Sequence, residues 1–335
     1  MNDSDISYDS IYEDEVCEKE EVVQFAFFAV PIFFSVVITL SLVGNLLVLV
    51  ILALYENLKS LTNILILNLA VSDLLFTSGL PFWTIYHMWG WVFHKAICKI
   101  VTFVFFIGFY SSLLFLTVMT VYRYLTVVHP LSDLRPRNVT VGVLVSVLLW
   151  IVSIGAAVPS LLFSTVVSIP HKDKPSLGCE YEDDLWATVG VSQQNLFFLV
   201  ASAVVAFCYC RILVRITRTR SHTKTRVVKL VLCIVAVFFL GWVPYNVAIF
   251  LRLLSNKLVP PFEDCDTSIR LDYAFYVCRL VAFSHCCLNP VFYALVGVRF
   301  RGHLKKMFCE RFRGPSTVES KQGRIRNFIS QGSMY

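Results

Sequence analysis

Residues 96–130 read AICKIVTFVFFIGFYSSLLFLTVMTVYRYLTVVHP. Between Lys99 and Arg123 this run contains no Asp, Glu, Lys or Arg. As a helix it is long enough to cross about 30 Å of hydrocarbon, for which roughly 20 apolar residues suffice. Arg123 then closes the run, with Tyr122 rather than an acid before it. A charged side chain is costly near a membrane core. Arg123 therefore belongs at an edge, where its stem can lie along apolar surface while its head reaches water.

The pattern recurs along the chain. Apolar blocks occupy residues 23–54, 61–87, 96–128, 139–163, 188–217, 227–254 and 270–296. The 335 residues are 57% hydrophobic and 16% charged, against about 25% charged in soluble domains. Each block is too long and too continuously apolar for a membrane-barrel strand, which needs only about 10 alternating residues. The expected fold is an all-α membrane protein: a seven-transmembrane helix bundle over 25–297. A flexible acidic N-terminus (1–24) precedes it, and a short amphipathic cytoplasmic helix (298–310) and a flexible tail (311–335) follow.

Lys and Arg gather on the cytoplasmic side of membrane proteins. Arg211–Lys229 holds seven Lys/Arg and no acid, and the tail from Val298 holds nine against two acids. Residues 1–24 instead hold nine Asp/Glu and one lysine. The N-terminus is thus expected outside and the tail inside, which requires an odd number of spans. No basic region precedes an apolar run at the N-terminus, so no cleaved signal is expected and the first span directs insertion. Of eleven cysteines, Cys17, Cys98, Cys179 and Cys265 fall on the oxidising side. They allow three pairings, and sequence alone does not choose. Cys208, Cys210, Cys233, Cys278, Cys286 and Cys287 lie inside spans and read as small apolar packing residues.

Polar groups inside spans are expensive and tend to be functional. Asp73 sits in NLAVSDLLF, Asn45 in SLVGNLLVLV and Asn289 in CLNPVFY. A buried carboxylate needs donors or a cation. Asn45, Ser112, His285 and Asn289 are the candidate partners of Asp73, with a Na⁺ ion held by Asp73, Ser112, His285 and Asn289 as the one metal considered. A switching role is weighed against a purely structural polar cluster. Pro81, Pro244 and Pro290 each remove a backbone hydrogen bond and permit a kink; Trp242 precedes Pro244 by two residues and Tyr293 follows Pro290 by three. No lysine lies between Lys257 and Lys305, which excludes a retinal photoreceptor. No paired halves with midplane charges suggest a transporter, and no channel filter is present. Zinc, phosphate-loop and nucleophile constellations are also missing, so neither an enzyme, a cofactor nor a nucleic-acid partner is expected.

At this point the chain resembles the class A G-protein-coupled receptors. The matching pieces run in order: Gly44-Asn45, LAVSD ending at Asp73, Cys98, Arg123, Trp150, Tyr209, WVP at Trp242–Pro244, and NPVFY at Asn289–Tyr293. Within that class it resembles chemokine receptors, through LPFW (80–83), WGWVF from Trp89, RYLTVVHP, VPYN (243–246) and FSHCCLNPVFYALVGVRFR. The LTNILILNL, CRLVAFSHCC and VGVRFRGHLKK runs look most like the XC-type branch, whose ligand is lymphotactin.

The resemblance implies disulfides Cys98–Cys179 and Cys17–Cys265. It also implies a basic chemokine drawn to the acidic N-terminus, with sulfation at Tyr8 and Tyr12, and a glycan at Asn2. Asn138 opens a second sequon, but topology places it in the cytoplasm. The outer pocket is expected to involve Trp83, Phe105, Tyr110, Tyr245, Arg252 and Arg279, capped by Glu180 and Tyr181. Many relatives carry glutamate where this chain has Arg279. A more positive pocket predicts a ligand carboxylate; the alternative is an internal pair of Arg279 with Asp272 or Glu180. Two other departures are Ala201, in place of a fifth-span proline, and Gly79, in place of a threonine before Pro81.

Asp73, Arg123, Tyr209, Trp242, Pro244, Asn289, Pro290 and Tyr293 form the implied activation switch. The acid usually beside the arginine is Tyr122 here, and Lys224 and Arg226 occupy the start of span six. Either basal signalling is high, or contacts such as Tyr209 and Tyr293 hold the inactive state; a third reading is a decoy that scavenges chemokine. The implied partners are the bilayer, an inhibitory-type heterotrimeric G-protein that drives chemotaxis and calcium signalling, and arrestin at phosphorylated Ser316, Thr317, Ser320, Ser330 and Ser333. Phe300, Leu304, Met307 and Phe308 suit an interfacial helix, and Cys309 is a palmitoylation candidate. If Arg279 meets the ligand, Arg279→Glu abolishes signalling with modest loss of docking in a paired binding and signalling assay; unchanged potency rules the contact out.

Overall fold

The computed structural model describes residues 19–56, 60–129, 139–169, 176–217, 222–262, 264–296, 300, 302–303 and 306–307, with the side chains of 216–234 and 292–299 outside that description. Its elements are α1 (Glu20–Tyr55), α2 (Leu61–Trp89), α3 (Lys95–Val128), α4 (Val139–Phe163), β1 (Ser164–Ile169), β2 (Ser176–Tyr181), α5 (Asp184–Thr217), α6 (His222–Asn256), α7 (Cys265–Phe283) and α8 (His285–Val296). Among the described residues seven helical stretches are long and apolar enough to cross a membrane. The seventh is α7 and α8 together, broken at Ser284.

α3 is the central column, touching α2, α4, α5 and α6, while the α7–α8 span closes the ring between α1 and α6. The core runs through Phe76, Phe109, Leu113, Phe115, Leu116 and Trp242. Large apolar side chains also cover the outside, among them Ile32, Leu54, Leu144, Ile151, Leu199 and Leu240. An apolar exterior of that extent belongs in lipid.

Lipid offers no water to backbone or side-chain polar groups. Hydroxyls in the spans turn back on their own helix: Thr77 donates to Asp73 O, Thr120 to Leu116 O, Ser146 to Gly142 O and Ser153 to Leu149 O. Asn68 joins α2 to α4, donating to Ser146 Oγ at 3.2 Å and accepting from Trp150 Nε1 at 2.8 Å. Lys99 donates to the carbonyls of Leu161 and Leu162, which end α4 without helical donors.

The helices approach closely where a side chain is missing. A Cβ on Gly108 would stand 2.5 Å from Phe76 N and 2.8 Å from its Cα. One on Gly44 would meet Pro290 Cβ at 2.8 Å.

Three features depart from or add to the sequence expectations. Helix α1 starts at Glu20, inside the segment expected to be flexible. Glu20 and Glu21 suit a helix N-terminus, and Lys19 is anchored to Ser268 Oγ (2.7 Å) and Asp272 Oδ2 (2.8 Å). The helical bundle also carries an antiparallel hairpin β1–β2 outside its spans, in which Val166 faces Cys179. Its cue was the β-branched content of STVVSI. Prolines also sit inside α1 and α4, at Pro31 and Pro159. Asp264 caps α7, accepting from the Thr267 hydroxyl and backbone N–H, and these bonds hold its carboxyl below the usual range. The cap persists above the ordinary carboxylate pKa and is lost as pH falls through the lowered value.

Gly108→Ala should lower stability by about 1–3 kcal/mol, because the added methyl meets backbone that cannot move aside. Gly155→Ala, where nothing lies within 4 Å, should be neutral or stabilising by about 0.5–1 kcal/mol. Thermal unfolding of the two purified variants in detergent checks the contrast; equal midpoints would sink the close-approach argument.

Candidate functional site

Pro290 carries no N–H, so the carbonyl four residues earlier, Cys286 O, has no helical donor. Asn45 supplies one: its Nδ2 lies 2.8 Å from Cys286 O and 3.0 Å from Ser41 O. Ser41 Oγ lies 2.6 Å from Thr77 Oγ1 and 3.2 Å from the same Cys286 carbonyl; with the Thr77 proton on Asp73 O, the one Ser41 proton serves the shorter contact. Gly44 lets Pro290 come close enough for this contact. The Gly-Asn pair of α1 and the Asn-Pro pair of α8 thus form one joint.

Beside it lies Asp73, fully buried. Ser112 Oγ donates to Asp73 Oδ1 at 3.1 Å and Asn289 Nδ2 to Oδ2 at 2.8 Å. His285 Nδ1 donates to Ala282 O, leaving Nε2 3.9 Å from Asp73 Oδ1. Asn45, an expected partner of Asp73, instead serves the Cys286 carbonyl. The Asp73 carboxylate and Ser112 Oγ are oxygens of the kind a small hard cation such as Na⁺ takes, while Asn289 presents its amide nitrogen, not its oxygen, to Asp73. An imidazole nitrogen does not suit that set; protonated, His285 would replace the cation rather than bind it.

Trp242 forms the layer above. It is 1% exposed, with ring centroids of Phe109 at 4.5 Å, His285 at 5.3 Å, Tyr245 at 5.4 Å, Phe238 at 5.8 Å and Phe283 at 5.9 Å. Its indole Nε1 is sealed without a hydrogen-bond partner. Through these rings α3, α6, α7 and α8 meet at one side chain, two residues before Pro244.

The outer layer is aromatic. Phe105 packs on Phe76, Phe283 and Trp83 at 4.4, 5.2 and 6.1 Å. Tyr110 is buried and accepts from Gln193 Nε2 at 3.1 Å. Tyr181 lies over Gly190, where a Cβ would stand 2.7 Å from its hydroxyl. Burial pushes the Tyr181 phenol up to about 12, so it stays neutral. Glu180 faces outward. Cys98 and Cys179 are joined, with Cα atoms 5.7 Å apart, and the buried Trp91 packs against them. Gly90 turns at φ 74°, and the Trp91 N–H donates to Leu177 O at 2.7 Å.

Arg252 and Arg279 have different surroundings. Arg252 Nε lies 2.6 Å from Asp272 Oδ1, and its guanidinium sits over Phe275 at 4.5 Å. Lys19 takes the other oxygen of Asp272. Arg279 pairs with neither Asp272 nor Glu180; its Nη1 donates to His87 Nε2 at 3.0 Å.

The chain matches the 7 transmembrane receptor (rhodopsin family) over residues 44–293. It is 44% identical over 305 residues to Chemokine XC receptor 1 of Homo sapiens, covering 90% of this chain and 88% of that one. It is also 40% identical over 297 residues to CX3C chemokine receptor 1 of Homo sapiens (88% and 82% covered) and 38% over 298 residues to C-C chemokine receptor type 1 of Homo sapiens (88% and 83%). The chain belongs to the chemokine receptors of the rhodopsin family. Such a seven-span receptor is a multi-pass plasma-membrane protein, and its relatives are not enzymes.

The expected residues of this receptor fall into three groups. Asp73, Ser112, His285, Asn289, Pro290, Trp242 and Pro244 gather in the middle of the bundle, and Trp83, Phe105, Tyr110, Tyr181, Tyr245 and Arg279 in its outer half. Arg123 and Tyr209 lie apart, at the other end, half-buried. There Tyr209 packs against Ile212, beside Tyr124, whose hydroxyl pairs with His129 at 3.0 Å. Asn2, Tyr8, Tyr12, Cys17, Cys309 and the tail sites lie outside the described residues, as do the side chains of Lys224, Arg226 and Tyr293. Cys265 is disulfide-bonded. Sequence reasoning missed Ser41, which stands one helical turn from Asn45, and also His87 and Lys19, which carried no local signal.

Asn45→Ala should cost about 1–3 kcal/mol by stranding the Cys286 carbonyl. A lowered unfolding midpoint in detergent, restored by Asn45→Asp no more than partly, is the expected result. An unchanged midpoint would show that Ser41 alone satisfies the carbonyl.

Proposed function

We propose that the protein is an XC-type chemokine receptor. It binds a basic, lymphotactin-type chemokine outside the cell and activates an inhibitory-type heterotrimeric G-protein, with chemotaxis and calcium signalling downstream. The 44% identity to an XC receptor across 90% of the chain carries this reading. The acidic N-terminus and the basic 211–229 segment support an outside N-terminus and an inside G-protein face.

In this mechanism the N-terminal acids, with Tyr8 and Tyr12 among them, capture the chemokine by long-range attraction. The chemokine's own N-terminus then enters among Trp83, Phe105, Tyr110, Glu180, Tyr181, Tyr245, Arg252 and Arg279. Ligand favours one of two bundle states by binding it more tightly. Trp242 is the relay, because its ring touches residues of four helices, and Pro244 and Pro290 are the points where backbone bonding is already weakened. Asp73, with or without Na⁺, holds α2, α3 and α8 together until α8 shifts. Arg123, with Tyr209 and Tyr293, becomes available to the G-protein, whose nucleotide exchange follows. Phosphorylated tail serines recruit arrestin, and the 298–310 segment lies on the membrane, tethered at Cys309.

One observation favours a second reading, a chemokine-scavenging receptor: Tyr122 precedes Arg123 where the family's acid is usual. Exchange of guanine nucleotide on an inhibitory-type G-protein, with and without a lymphotactin-type chemokine, separates the two. Ligand-driven exchange is expected, with a ligand-free signal that falls several-fold in Tyr122→Asp. Binding and internalisation with no exchange would establish the scavenger.

A further inference from the structure

The side of α7 that meets the N-terminal segment carries Cys265, Ser268 and Asp272, spaced three and four residues apart and so stacked along one face of the helix. Cys265 is disulfide-bonded. Lys19, the residue before α1, donates to Ser268 Oγ at 2.7 Å and to Asp272 Oδ2 at 2.8 Å. The other carboxylate oxygen, Oδ1, takes Arg252 Nε at 2.6 Å. The Asp272 side chain is 6% exposed, against 31% for Lys19 and 37% for Arg252. Two cations thus reach in from the rim to one buried acid, each through a charge-assisted bond. The three members are not equivalent. Without the acid, both cations regain water; without either cation, a buried carboxylate is left short of a partner.

Helix α6 carries no Asp or Glu, so its ionic ties to neighbours run through its Lys and Arg. These are Lys224, Arg226 and Lys229 near its inner end and Arg252 near its outer end. Arg252 lies eight residues past Pro244, about two turns beyond the point where backbone bonding is weakened. A tie at the far end of a bend restrains the tilt of the segment above it. The Arg252 guanidinium also lies over the Phe275 ring of α7 at 4.5 Å. We propose that Lys19, Asp272 and Arg252 form an autoinhibitory strap, which binds the chain entering α1 to the outer end of α6 across α7 and holds the bundle in its resting arrangement. A ligand that draws the N-terminal segment off α7 takes Lys19 with it. Asp272 is then left with Arg252 alone, and tilting α6 costs less. Capture of ligand outside and release of α6 are coupled through one carboxylate, which shifts the balance between the two bundle states.

The strap rests on the signalling-receptor reading for its output but not for its contacts, and two measurements on the full-length purified receptor separate these. Amide hydrogen exchange reads the contacts. Protection at the outer end of α6 (248–256) and the start of α1 (20–24) should fall several-fold in Asp272→Asn. It should persist in Asp272→Glu, which keeps the charge, and return in the triple reversal Lys19→Glu, Arg252→Glu, Asp272→Lys, which rebuilds the strap with opposite signs. Unchanged protection in Asp272→Asn, or an equal loss in a reversal that still melts as a folded protein, would overturn the strap. Ligand-free nucleotide exchange on an inhibitory-type G-protein, scaled to folded receptor, reads the output. It should rise about fivefold or more in Asp272→Asn, stay near wild type in the reversal and lie between in Asp272→Glu. A basal rate that is unmoved or lower in Asp272→Asn shows a structural clamp and overturns the inhibitory role. A receptor that drives no exchange in any variant, with or without a chemokine, rejects the signalling reading, and amide protection alone then decides whether the strap exists.

Discussion

The Cys286 carbonyl sits in the middle of a membrane span with no helical donor, because Pro290 has no N–H to offer. In water that loss would be repaired by solvent. In hydrocarbon it must be repaired by protein, at a cost of several kcal/mol if it is not. Asn45 of α1 provides the repair, and Gly44 makes room for the proline that caused the need. The seventh span is therefore held by α1 at its proline, just beyond the break at Ser284. Ser41 passes the tie on to Thr77 of α2, and Asn289, one residue before Pro290, passes it to Asp73. A defect in one helix thus becomes the joint of three.

The same economy governs the rest of the bundle. Polar side chains either fold back on their own carbonyls or bridge to a neighbour, and close contacts fall where glycine leaves out a methyl. Some buried polar atoms lack such partners, among them Trp83 Nε1, Trp91 Nε1 and Ser202 Oγ. Trp242 Nε1 and His285 Nε2 are sealed without hydrogen-bond partners, in a region where satisfied polar groups are the rule.

The outer half has its own charge logic. Asp272 gathers the N-terminal end of α1, the outer end of α6 and the body of α7 through Lys19 and Arg252. Spending both cations on one acid leaves Arg279 as the positive centre of the aromatic pocket. The β1–β2 hairpin, tied by Cys179 to the start of α3, covers it from above and contributes Tyr181 as a neutral phenol.

The sequence by itself determined the spans and their number, since stretches of some 20 apolar residues each are long enough to cross the hydrocarbon of a bilayer as helices. It also marked Asp73, Asn289, Pro290 and Trp242, because polar groups and prolines inside such stretches stand out against their surroundings. Pairing was a different matter. Asn45 was expected beside Asp73 and caps Cys286 instead; an internal pair of Arg279 with Asp272 or Glu180 was one of two open readings, and Arg279 turns to His87. Which donor meets which acceptor depends on the rotation and approach of helices far apart in sequence, fixed by contacts such as Gly108 on Phe76. Local spacing carries no record of those angles, so only the tertiary structure could decide that Arg252, and not Arg279, takes the buried acid.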